Sequence, residues 1–426
     1  MTVKLTVYEL EKIPRERLGS RLARRLQKFD ELHAGPTEAW IFDWQYRKFI
    51  QAQNWVGVIE IPGLSIEILP KIGLRDESDP AALKTARRNL LYMLTLAGVL
   101  KVRPRDVARL DRNRAPLLEA LIAAFADELR YECGRGLSRK YLSHEENARC
   151  LAGKLLVTRH LMVNVARPDR LYIDRDEFTA DNTFNQILKA ATRSLFGYTH
   201  LATTRRTLGE CLEHLSDVQD KDARSLDVGR VHIDRNAARF RNLLGFARLV
   251  LSGHAVGASR GDYGTFSILF PMEKVFEQFV GGLLRKYVDS LGIEEASVQL
   301  QARGRWLLRR ENGRPAYALR PDVVVRDRHG RAALVLDTKW KSLQDRDGRP
   351  KAAASADLYQ LYAYSRRYGS NQNFLMFPKS KNARASTYIV EGDETKKVHI
   401  ELLDVSTDLW QMGATVLDGV RERLTV

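Results

Sequence analysis

Two aspartates and a lysine stand where two short apolar runs meet polar chain. Residues 332–336 are all apolar and stop on Asp337, Thr338 and Lys339. A second run, Val323, Val324 and Val325, is entered through Pro321 and Asp322. The stretch 326–330 between them is polar with a late glycine, as the loop of a β-hairpin should be. Residues two apart on a strand share a face, so Asp337 and Lys339 project together, and the hairpin carries Asp322 to the same rim. Carboxylate oxygens of this kind suit Mg²⁺, a hard cation that keeps several waters and needs few protein ligands; Mn²⁺ is the alternative occupant. A bound ion lowers the pKa of its water and neutralises charge on a scissile phosphate. Lys339 would add positive charge where the transition state is negative. This is the layout of a metal-dependent phosphodiesterase. The plainer alternative is coincidence, because Asp-x-Lys at a strand end with an aspartate upstream also arises by chance.

Other elements must position further groups beside these three. Over 272–287 the apolar residues Phe276, Phe279, Val280, Leu283, Leu284 and Tyr287 make a helical stripe. Glu277 lies at its edge and can lean toward the sheet as a third acidic metal ligand with Asp322 and Asp337; otherwise it is a solvated flank residue. Residues 357–367 read as a helix in which Gln360 and Tyr364, four apart, share a face. An amide and a phenol there could hold a phosphate or a metal-bound water, or the tyrosines of this helix simply pack.

Helix Glu, strand Pro-Asp, strand Asp-x-Lys and a following Gln-x-x-x-Tyr, in that order, resemble the PD-(D/E)xK nuclease superfamily, in particular its RecB-type branch. Further pieces carry a closer resemblance: Ile66-Glu67-Ile68-Leu69-Pro70-Lys71-Ile72, Arg135-Gly136-Leu137 with Tyr141, Glu145 and Glu146, Asp181 with Asn185-Gln186-Ile187-Leu188-Lys189, and Phe276-Glu277-Gln278-Phe279-Val280. Together they look like the McrC family, the nuclease subunit of McrBC-type modification-dependent restriction systems. The resemblance implies metal ligands at Asp322, Asp337 and Glu277, and a catalytic lysine at Lys339. It also implies cleavage of double-stranded DNA while docked on a hexameric McrB-like AAA+ GTPase whose activity the chain stimulates. A self-sufficient RecB-like nuclease and an inert docking protein with a retained nuclease fold are the competing readings.

Composition agrees with an anionic partner. The 426 residues carry a net charge of +16 with a pI near 9.7. Between 301 and 350, thirteen Lys/Arg face six Asp/Glu, so the basic excess surrounds the acidic motif. No sustained basic amphipathic helix suggests a lipid surface, and the apolar stretch 89–100 is too short to cross a bilayer and reads as a buried helix. The N-terminus lacks the apolar core of a signal peptide. Cys133, Cys150 and Cys211 are widely spaced and odd in number, which fits a reducing cytoplasm rather than a disulfide or zinc framework. Gly153-Lys154 is no phosphate-binding loop, so the chain has no evident nucleotide motor. The nine histidines show no metal spacing, and His329 reads as a solvated turn residue.

The expected fold is multidomain α+β. A partner-docking region over 1–165 would be β-rich to 75 and helical over 79–155, with 139–149 an exposed turn and helix. A helical connecting region would follow over 166–260, its helix from Thr183 capped by Asp181 or Asn182. A nuclease domain over 261–426, set off by Gly257, Gly261 and Gly264, would have a mixed central sheet flanked by helices.

Overall fold

A computed structural model describes the chain except for residues 1, 36–38, 72–78, 105–106, 108–115, 230, 232, 234, 236, 259–264, 345–348 and 426. Its residues form two compact units. The first joins residues 1–120 to 256–426, and the second is 121–255. The fold is multidomain α+β, as the sequence leads one to expect.

In the first unit, strands β1 (Val3–Tyr8), β2 (Lys12–Pro14), β3 (Phe42–Asp43), β4 (Phe49–Ala52), β5 (Trp55–Ile61) and β6 (Leu64–Leu69) hold 28 of the first 70 residues. The turn between β5 and β6 is at Pro62-Gly63, with Gly63 at φ 87°. A 20-residue helix, Arg15–Ala34, interrupts this β-rich segment, contrary to expectation. Leu18, Leu26 and Phe29 bury its inner face against Ile13, Phe42 and Ile59. The spacing of Leu18, Leu22 and Leu26 is a helical signal, but Gly19 sits at φ 68° and breaks the helix near its start.

In the second unit, β7 (Lys140–Ala148), β8 (Lys154–Leu155) and β9 (Leu171–Thr179) form a small sheet beside helices Thr183–Phe196, Ala202–His214 and Arg241–Ala258. Asn182 caps the first of these helices, its side chain accepting from the Asn185 N–H at 3.2 Å. Residues 139–149 are therefore not a turn and helix. β7 pairs antiparallel with β9 along its whole length. Tyr141 and Phe178 lie outside on neighbouring positions, their rings 4.9 Å apart. In β7 and β9 only Ile173 is fully buried, so the ribbon's polar residues carry no apolar alternation from which a strand could be read. The pairing of β7 with β9 also places the expected border at 165/166 inside one unit. Of the expected boundary glycines, Gly257 lies within the helix Arg241–Ala258, while Gly261 and Gly264 fall outside the described residues.

On its return the chain adds β10 (Phe266–Pro271) antiparallel to β5, giving a sheet of order β1-β6-β5-β10. The segment expected to form a separate nuclease domain thus shares a sheet with the N-terminal strands. Gly57 makes the β5–β10 approach sterically possible: at φ 135°, a Cβ there would meet the Ile268 carbonyl oxygen at 2.0 Å. The helix Met272–Tyr287 follows directly. It packs against the helix Pro80–Leu96 so closely at Gly282 that a Cβ would meet the Leu96 carbonyl oxygen at 2.2 Å.

The central sheet is mixed, in the order β11-β14-β15-β16-β18-β17. Its strands are β11 (Ser297–Leu300), β14 (Val323–Arg326), β15 (Ala332–Thr338), β16 (Gln372–Pro378), β17 (Ser386–Val390) and β18 (Asp393–Leu403). β15, β16 and β18 run parallel, and the apolar runs 332–336 in β15 and 374–377 in β16 suit strands buried on both faces. A separate ribbon of β12 (Arg305–Arg309) and β13 (Pro315–Leu319) leaves the sheet between β11 and β14. The helix Ser355–Tyr368 covers one face through Leu361, Tyr364 and Tyr368.

His399 on β18 is 1% exposed and lies over the Phe374 ring, with centroids 4.6 Å apart. The Thr387 hydroxyl accepts from Arg423 and can therefore turn its proton to His399 Nδ1, 3.0 Å away. Nε2, 2.7 Å from Gln372 Oε1, then carries the ring proton. This arrangement suits the neutral imidazole. Burial, with Arg423 and Lys397 nearby, pushes its pKa down to about 4. The unfolded chain binds the proton more readily, so the contribution is whole above the ordinary histidine value of 6.5 and is lost as pH falls toward 4. Urea melts are expected to show wild type losing about 2 kcal/mol more than His399→Gln between about pH 7 and about pH 4.5. Equal losses would contradict this account.

Candidate active site

β14 and β15 form the hairpin expected from the sequence, with Val323 paired to Leu336 and Val325 to Leu334. These four residues are fully buried, and the strand stays buried through Asp337, which is 2% exposed. An ionisable group so placed must be paired or shift its proton affinity. Asp337 does both. Lys339 Nζ donates to its Oδ2 at 2.5 Å. Burial and the neighbouring charge of Asp322, partly offset by Lys339, push its carboxyl up to about 6.

Asp322, just before β14, is held by the other strand. Its Oδ2 accepts from the Thr338 N–H and hydroxyl, each at 2.7 Å, and its Oδ1 accepts from Gln301 Nε2 at 3.2 Å. Burial raises its pKa, opposed by the Thr338 hydrogen bonds and by Lys339. Glu277 projects from the helix Met272–Tyr287 and accepts from the same Gln301 amide. Its pKa is raised by burial and by the charge of Asp322. The three acids thus form one electrostatic group, with a neutral amide donating to two of them.

Lys339 is also fixed from the opposite side. Its Nζ donates to Gln360 Oε1 at 3.1 Å, and Gln360 Nε2 donates to the Tyr364 hydroxyl at 3.0 Å. That hydroxyl donates to the Arg320 carbonyl at 3.2 Å. Burial works against the charge of Lys339, but Asp337 outweighs it and raises its pKa. Burial and the Asp337 charge push the Tyr364 phenol up to about 12, so it remains a donor.

All six residues singled out in the sequence, Glu277, Asp322, Asp337, Lys339, Gln360 and Tyr364, line one cavity of about 540 Å³. Among the described residues, no group of three or more His, Cys, Asp or Glu side chains is gathered closely enough to hold a metal ion. The donor set still suits Mg²⁺, since one or two carboxylates with water and phosphate oxygens are its usual ligands. Asp322 and Asp337 are the carboxylates that would supply them, and the charge of Asp322 raises the cost of Asp337's.

Sequence reasoning missed Gln301, Thr338 and Trp340. Gln301 has φ 48°, a conformation uncommon for a residue with a side chain, and nothing in its surroundings along the chain marks it. Thr338 lies inside the Asp-x-Lys motif and could have been weighed as a donor. Trp340 directly follows the lysine. Its ring packs on Phe276 with centroids 5.0 Å apart, and its Nε1 donates at 2.8 Å to Glu9. Glu9 is buried just beyond β1 and also accepts from the Lys71 N–H. Burial pushes its carboxyl up to about 8, so it holds its proton near neutrality. His329 is an exposed turn residue, as expected, its N–H donating to Asp327.

The chain is therefore a multidomain α+β protein with an acidic, lysine-containing cleft at the edge of a mixed sheet. It belongs to the McrBC family: the model of the McrBC 5-methylcytosine restriction system component matches residues 50–378. Solved structures that share its fold include two from Thermococcus gammatolerans. One is a chain in the half-complex from the tetradecameric assembly of Thermococcus gammatolerans McrB AAA+ hexamers with bound McrC, at 21% identity and a TM-score of 0.63, covering 99% of this chain and 100% of that one. The other is a chain in the cryo-EM structure of the Thermococcus gammatolerans McrBC complex, at 24% identity and a TM-score of 0.51, covering 67% of this chain and 88% of that one. None of the curated proteins matches it. Among the described residues, no helix is long and apolar enough to cross a membrane.

Proposed function

We propose that this chain is the nuclease subunit of a modification-dependent, type IV restriction system. It hydrolyses phosphodiester bonds in double-stranded DNA with Mg²⁺, or with Mn²⁺ in its place. It acts when docked on an McrB-type AAA+ GTPase hexamer, in the cytoplasm. The observation that carries this reading is the single cavity in which Asp322, Asp337 and Lys339 meet with Glu277, Gln360 and Tyr364. Family membership and the McrB-bound relative support the partner. In this reading the site has the PD-(D/E)xK layout.

Asp322 and Asp337 would hold the metal, and Glu277 would add negative charge from the helix side. When bound, the ion supplies an activated water and neutralises charge on the phosphate. Thr338 keeps Asp322 turned toward the site. Lys339, held between Asp337 and Gln360, places a fixed positive charge where the pentacoordinate transition state becomes more negative. Tyr364 anchors Gln360 and so the lysine. The docking surface lies within residues 1–165, where Tyr141, Leu161 and Met162 are exposed apolar side chains.

The test is cleavage of methylated plasmid by the purified chain, with and without an McrB-type GTPase and GTP. Cleavage is expected only when chain, partner, GTP and Mg²⁺ are all present. Degradation by the chain alone, at a rate indifferent to GTP and partner, would replace this reading with that of a self-sufficient nuclease.

A further inference from the structure

Between Gln301 and Asp322 the chain leaves the central sheet as the β12–β13 ribbon, paired from Arg305 opposite Leu319 to Arg309 opposite Pro315. Both feet of this ribbon are tied to the site. The Gln301 N–H donates to the Asp322 carbonyl at 2.8 Å, the Tyr364 hydroxyl to the Arg320 carbonyl, and the Tyr368 hydroxyl to the Ala302 carbonyl, each of the latter two at 3.2 Å. The ribbon is thus rooted at a fixed place beside the carboxylates.

Its composition is one-sided. Residues 303–320 hold six arginines and one acid, Glu311. All six arginines are exposed, and no ion pair or side-chain hydrogen bond engages their guanidinium groups among the described residues. They fall into two clusters. Arg303, Arg305 and Arg320 sit at the root, while Arg309, Arg310 and Arg314 sit at the tip. Trp306, Leu308 and Tyr317 are exposed between them, and Tyr317 is held at φ 58°, where a bulky residue is strained. Arg305 and Arg309 are four positions apart on β12, a span of roughly 13 Å. The major groove of B-DNA is about 12 Å wide and admits a two-stranded β-ribbon.

From this match we infer that the β12–β13 ribbon lies across the major groove of duplex DNA. The root cluster holds the backbone nearest the cavity, and the tip cluster holds the opposite backbone. The inference rests on the nuclease reading for its substrate and adds how that substrate is gripped. The ribbon favours duplex over single strand, because a lone strand offers the tip cluster no second backbone.

The test measures binding of the full chain to a fluorescent 30-base-pair duplex and to the corresponding single strand, in EDTA so that cleavage plays no part. The variant Arg309→Gln/Arg310→Gln/Arg314→Gln is expected to lose duplex affinity by at least about tenfold at low salt. Its slope of log affinity against log salt should fall by about 2.7, since each phosphate contact contributes about 0.9. Single-strand affinity should change little, and the corresponding triple lysine variant should keep the wild-type slope. Unchanged duplex binding, equal losses on both nucleic acids, or a lysine variant as weak as the glutamine one would each overturn the inference. Failure of the nuclease reading would appear in cleavage assays and leave this binding result standing.

Discussion

Asp337→Asn is expected to abolish plasmid cleavage in the presence of partner, GTP and Mg²⁺. The rate should fall at least about a thousandfold, roughly 4 kcal/mol of transition-state stabilisation. The substitution keeps the size of a side chain that is almost wholly enclosed, so the strand end has little reason to rearrange. It removes one of the two charges that would attract a divalent ion, and an amide oxygen cannot replace it. A second measurement separates lost chemistry from lost folding. Mg²⁺ that binds the folded state raises the melting temperature by mass action, and the wild-type chain should show that rise on its own. The Asn variant should melt cooperatively and show no rise up to millimolar Mg²⁺. A variant that still cleaves, or still gains the same thermal increment, would remove Asp337 from the metal site and the enzyme reading with it.

Lys339→Gln should lower cleavage by about a hundred- to a thousandfold, the range for deleting one fixed donor at a charged transition state. Its signature should differ from that of Asp337→Asn. In the native site the ammonium partly neutralises Asp337, and Asp322 lies close enough to raise the cost of that carboxylate's charge. With the lysine neutralised, the two aspartates repel without relief, and a divalent cation becomes their compensating charge. The Mg²⁺-dependent thermal rise should therefore persist and reach half its full size at a lower ion concentration than in wild type. A wild-type cleavage rate would show that the lysine is no more than a counter-charge. A vanished thermal rise would make it essential for assembling the site.

The site was legible where its chemistry is local. Asp337 and Lys339 lie two apart at the end of one apolar strand, Asp322 heads its hairpin partner, and Glu277 sits on a helix with a clear apolar stripe. Gln360 and Tyr364 could be paired from helical spacing, but not their link to Lys339 and the Arg320 carbonyl, which depends on side-chain directions in three dimensions. Gln301 could not be found, because an amide between two carboxylates has no periodicity and no partner nearby in sequence. Of the central sheet, the β14–β15 hairpin was legible from its unbroken apolar runs. The β7–β9 ribbon was not, since strands with a single fully buried residue between them carry no apolar code. The helix Arg15–Ala34 had the spacing and was overlooked among strong strand signals. The pairing of β5 with β10 is of another kind: each strand is plain in the sequence, but nothing local says they are neighbours.

That pairing affects how the chain emerges during synthesis. The hydrogen-bonding edge of β5 waits for β10, roughly two hundred residues later, which at 5–20 residues per second is roughly 10–40 s of translation. Glu9 waits longer still for the indole of Trp340, 331 positions away. Until then the nascent polypeptide presents an open strand edge and an unmatched acid, the kind of surface that attracts ribosome-associated chaperones. The cavity where Asp322, Asp337 and Lys339 meet therefore cannot be completed on a half-made molecule.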